Sequence, residues 1–84
     1  MLNKEELKKI GAKYVLCLKE AVYVKSINSI VTVYADQYLV GWSDMSLLEE
    51  APESVFFPFS FLSDGQIITI SVKRSILHII EKLS

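Results

Sequence analysis

This chain has one cysteine, Cys17, and one histidine, His78, so a thiolate–imidazole nucleophile pair is the first chemistry to test. Cys17 lies between Leu16 and Leu18, in an apolar stretch that buries a thiol and keeps it unreactive. His78 falls on the side of an expected C-terminal helix opposite its isoleucines, facing solvent. A buried thiol and an outward imidazole do not meet, so no such pair is expected. Two residues are also too few for a closed zinc site. Asp44, Glu49, Glu50 and Glu53 supply oxygen atoms, but their spacing matches no calcium loop, and a solvated acidic segment is expected. Carboxylates used for acid–base catalysis need a pocket and unequal environments, whereas these fall near turns. The three glycines form no phosphate-binding array. The expectation is a protein that is not an enzyme and has no catalytic residue, metal or cofactor.

Two other residue sets suit binding. Phe57, Phe59 and Phe61 alternate along one face of a strand, with Phe56 on the other, and Tyr34, Tyr38 and Trp42 belong to neighbouring strands. A nucleic-acid reader flanks such rings with Lys and Arg. Residues 26–72 contain neither and carry a net charge of −6. The aromatic set therefore reads as sheet core or protein interface, with Trp42, Phe56 and Pro58 as candidate interface residues. The basic residues gather at the ends, with a net charge of +3 over residues 1–25 and +2 over 73–84. Lys4, Lys8, Lys9, Lys13, Lys73 and Arg74 become candidate nucleic-acid contacts if two terminal helices share a face. Glu5, Glu6 and Glu81 dilute that strip.

The elements that must position these groups are signed locally. Asn3 can cap a first helix, Glu6 completes a capping box, Leu2 and Leu7 form a hydrophobic staple, and Gly11 can end it. Tyr14-Val15-Leu16-Cys17-Leu18 reads as a strand buried on both faces. Leu7, Ile10, Tyr14, Cys17, Ala21 and Val24 also fall at helical spacing, so residues 13–27 stay open between two strands (13–19 and 21–27) and a longer first helix. Asn28-Ser29 suits a turn, 30–35 and 37–42 suit paired strands, and Ser46-Leu47-Leu48-Glu49 suits a capped helical turn before Pro52. A hairpin is expected from 54–61 and the alternating Ile68, Ile70 and Val72, turning at Asp64-Gly65. Pro58 lacks an amide hydrogen, which assigns its strand to an edge or a bulge. Ser75 can cap a final helix over 76–83, with Ile76, Ile79, Ile80 and Leu83 on one side.

Eighty-four residues suit one domain, residues 1–84, of α+β class. An antiparallel sheet of 4–6 strands is expected, with short N- and C-terminal helices packed on one face; a small, partly closed β-barrel with terminal helices is the alternative. Nineteen Val, Ile and Thr residues favour sheet. The lone cysteine rules out an internal disulfide, the charged start is not a signal peptide, and no uncharged apolar run reaches the roughly 18–20 residues of a membrane span. A cytoplasmic location follows as the default. The positive mean hydropathy implies apolar surface left over for a partner. The expected function is a non-catalytic regulatory or protein-interaction module that self-associates as a homodimer through apolar surface or an edge strand, or binds another protein. The alternatives are a transcription-linked nucleic-acid binder using the basic ends, and a ligand carrier or enzyme with a pocket at a dimer interface.

Overall fold

A strand with no polar residue must be shielded on both faces, and Tyr14–Leu18 (β1) is buried at every position. The computed structural model describes residues 2–20 and 39–83. The strands expected at 21–27 and 30–35, the turn at Asn28-Ser29, and residues 37–38 with Tyr34 and Tyr38 lie outside the described residues. The other elements are a helix at Lys4–Lys9 (α1) and strands at Val40–Ser43 (β2), Phe56–Ser63 (β3), Gln66–Lys73 (β4) and Leu77–Lys82 (β5). Short 3-10 turns occupy Leu48–Glu50 and Arg74–Ile76. The strands form one antiparallel sheet in the order β4-β3-β2-β1-β5.

The N-terminal helix forms as its caps dictate. The Asn3 side chain accepts a hydrogen bond from the Glu6 amide at 2.9 Å. At the other end Gly11 adopts a left-handed φ of 88°, its amide donates to Lys8 and the Ala12 amide donates to Leu7. These bonds make a Schellman motif, which stops the helix and turns the chain into β1. The longer first helix through Gly11 is thereby excluded. Leu7 and Ala12 pack with Val15 and Trp42 on the outer face of the sheet, joined by Leu2, Leu62 and Leu83.

The pair of terminal helices is corrected: only the N-terminal one exists, and the C-terminal segment is a strand. The isoleucine spacing fits a helix, but β1 leaves backbone groups on the side away from β2, and a buried strand cannot leave them unpaired. β5 satisfies them, pairing along the whole of β1 with one bulge opposite Val15 and Leu16. Leu77 and Ile79 then enter the inner face, while Ile80 at the bulge is exposed.

This pairing forces the sheet to curl. Lys73 ends β4 and Leu77 starts β5, on opposite edges. Four Cα steps reach at most about 14 Å. In a flat sheet the two edges would be four strand spacings apart, about 19 Å. The concave inner face holds Tyr14, Leu16, Leu18, Phe57, Phe59, Phe61, Val72 and Leu77, with Leu48 inserted from the first 3-10 turn. The expected helical turn before Pro52 is therefore present, though Leu47, not Ser46, occupies the cap position and no side chain caps it. The barrel alternative is also corrected: β4 and β5 do not pair, so the sheet stays open.

The hairpin forms at Asp64 and Gly65, both at positive φ (49° and 76°), as a tight two-residue turn requires. Pro58 is corrected, because β3 lies inside the sheet between β2 and β4 and its register with β4 is unbroken. It is tolerated because β2 ends at Ser43. Trp42 faces Ser60, so by register β2 stops before it reaches Pro58. Gly41 allows β2 to approach β3, since a Cβ there would lie 2.0 Å from the Ser60 carbonyl oxygen and 2.7 Å from the Phe59 ring.

Both partners of that close contact are testable in urea melts. Phe59→Ala should cost about 3–5 kcal/mol. His78→Ala, an exposed change, should cost under about 0.5 kcal/mol. Gly41→Ala should destabilise by at least the overpacking range of about 1–3 kcal/mol.

Candidate functional site

The strand at the C-terminus changes the geometry of the first candidate pair. Cys17 and His78 are direct partners across β1 and β5, so they share the outer face, contrary to the expectation that they stay apart. Cys17 is buried and His78 is exposed. Among the described residues no three Cys, His, Asp or Glu side chains gather as a metal-ligand group.

The basic candidates do not form one strip. Lys4 forms an ion pair with Glu81 of β5. Lys8 and Lys9 are exposed in the last turn of α1. Lys13 is half-buried where the chain enters β1, its carbonyl accepting from Leu83 and its amide donating to Ser43. Arg74 is internal in purpose: its Nε donates to the Leu48 carbonyl and a terminal nitrogen donates to the Leu77 carbonyl, both at 2.8 Å. Lys73 sits across from Phe56, with its ammonium 5.9 Å from the ring centroid. Of the candidate interface residues, Trp42 is 4% exposed, Pro58 is half-buried and Phe56 is 56% exposed.

One charged cluster fastens the first 3-10 turn over the inner face. The Tyr14 hydroxyl donates to one oxygen of Glu49, and the Lys82 ammonium donates to the other at 3.0 Å. Tyr14 and Lys82 are partners across β1 and β5, so one carboxylate from the turn ties down two strands. The Tyr14 hydroxyl first, then the Lys82 ammonium, hold the Glu49 carboxyl below its usual range. The hydrogen bond to Glu49, then burial, push the Tyr14 phenol up. Glu49 also raises Lys82. This cluster anchors Leu48 in the core, together with Arg74.

The two edges of the sheet differ in character. β5 is short, bulged and charged, carrying His78, Glu81 and Lys82, with two ion pairs along it. β4 runs for eight residues without a break in register, and Gln66 to Val72 contain no charge. Among the described residues it pairs only with β3. The direction of the backbone groups that β3 does not use follows from one bond. The Arg74 amide donates to the Val55 carbonyl at 2.8 Å, continuing the register. Bonded and non-bonded pairs alternate in an antiparallel ladder, so Val72, Ile70, Ile68 and Gln66 bond to β3. Ile67, Thr69, Ser71 and Lys73 therefore present their N–H and C=O groups outward. Pro58, opposite Ser71, fits this alternation because that pair needs no amide hydrogen from β3. Ile67 is 54% exposed, Ile68 and Ile70 are half-buried, and the Thr69 hydroxyl is tied to Ser60 at 2.8 Å.

Sequence reasoning missed β4 as a site because Pro58 drew the edge assignment to its neighbour. The available signal was the uncharged run between Asp64 and Lys73. No family model, curated protein or solved structure matches this chain.

The clamp has a pH signature. A depressed carboxyl pKa contributes stability above the unfolded value, lost as pH falls through the folded value. Raised Tyr14 and Lys82 pKa values contribute stability below their unfolded values, lost as pH rises through the folded ones. Glu49→Gln should therefore flatten the loss of stability in acid and return the Tyr14 phenolate absorbance titration toward the ordinary tyrosine value. An unchanged Tyr14 titration would show that the clamp does not form.

Proposed function

We propose that this protein is a non-catalytic interaction module of the cytoplasm, which takes up a strand from another polypeptide along the outer edge of β4. The observation that carries this reading is the unblunted edge: eight residues, no bulge, and no charge before Lys73. Folded proteins usually protect an exposed edge with charges, proline, a bulge or a covering element. Among the described residues β5 has two of these protections and β4 has none along Gln66–Val72. Strand addition uses the outward amides and carbonyls for affinity and alternate side-chain positions for selectivity. Here the alternate positions are Ile68 and Ile70 on the inner face and Ile67, Thr69 and Ser71 on the outer face. No helix among the described residues is long and apolar enough to cross a membrane.

Ser71→Pro tests the reading, because the Ser71 amide points away from β3 and its loss spares the hairpin ladder. The variant should keep its melting stability within about 1 kcal/mol. Protein captured from native extract by the immobilised wild-type chain should be lost from the variant. Equal capture by both would contradict an interface at this edge.

A further inference from the structure

We infer that the strand taken up by β4 is β4 of a second copy, antiparallel about a two-fold axis through Thr69; this rests on the edge reading above. Side-chain parity limits the choice. Gln66, Ile68, Ile70 and Val72 face inward and Ile67, Thr69, Ser71 and Lys73 face outward, so directly opposed residues of two equivalent copies must have the same parity. The axis must then pass through a residue. Through Thr69, the uncharged run Gln66–Val72 overlaps itself in full. Ile68 faces the partner's Ile70, Ile67 faces the partner's Ser71, and Thr69 faces its own equivalent. The half-buried Ile68 and Ile70 gain apolar neighbours on the inner face.

Charge favours the same arrangement. The run is bounded by Asp64 in the turn at one end and Lys73 at the other. Antiparallel pairing brings the Lys73 of each copy beside the turn that carries the Asp64 of the other. A parallel pair would set like charges together. The outward groups of Ile67, Thr69 and Ser71 meet their counterparts in this register, and a two-fold contact closes, giving a dimer without a filament.

Sedimentation equilibrium at about 100 µM, within the range of weak specific association, should give a dimer for the wild-type chain. Thr69→Lys places like charges opposite each other at the axis and should weaken the dimer at least tenfold, with the melting curve of the dilute monomer retained. Lys73→Glu should weaken it about threefold, and adding Asp64→Lys should restore it, because the charge pair is reversed, not removed. A monomeric wild-type chain would overturn self-pairing, while the Ser71→Pro capture comparison would still decide whether β4 is an interface at all. A dimer insensitive to Thr69→Lys would also overturn the proposal, by placing the contact elsewhere.

Discussion

The structure depends on the burial of β1. Its five residues, Tyr14–Leu18, are shielded on both faces, so its backbone groups need a strand on each side. β2 supplies one. The other comes from the end of the chain, which abandons a plausible amphipathic helix to become β5. Because only the turn Arg74–Ile76 separates β4 from β5, meeting that demand bends the whole sheet. The bend creates the concave face in which Phe59, Phe61, Leu16 and Leu77 are almost fully hidden. It also leaves β4 as the edge opposite β5.

The surface chemistry follows from this closure. Two of the six charges read as a binding strip, Lys4 and Arg74, are used in holding the fold. Arg74 ties the turn before β5 to the carbonyl of Leu48, and Glu49 ties the same segment to Tyr14 and Lys82. Lys4 links α1 to β5 through Glu81. Such exposed pairs are each worth little, and their effect is to orient elements that the core stabilises. Among the described residues, what remains outside these ties is the β4 edge, regular in register and uncharged from Gln66 to Val72.

Local signals in the sequence were read correctly where one residue type decides the backbone. Asn3 and Gly11 bound the first helix, and Asp64-Gly65 makes the hairpin turn, because capping and positive φ are settled within a few residues. The helix expected over 76–83 does not form: Ile76, Ile79, Ile80 and Leu83 satisfy the helical period, while the demand that makes Leu77–Lys82 a strand comes from residues some sixty positions earlier. Pro58 misled for a related reason. A proline excludes a ladder bond on one side only, and whether that side is occupied depends on where β2 stops. Cys17 and His78 met through the same distant pairing. The candidate edge was legible as a composition, the uncharged run after Asp64, but not as an edge, because strand order is a property of the whole chain.

The most direct test is residue-resolved amide hydrogen exchange along β4 at several protein concentrations. Ile68, Ile70 and Val72, bonded to β3, should exchange slowly throughout. Ile67, Thr69 and Ser71 should exchange fast in dilute solution and slow down as concentration rises. If those three amides stay fast at high concentration, or are already slow at the highest dilution, the edge is not the place where another copy docks.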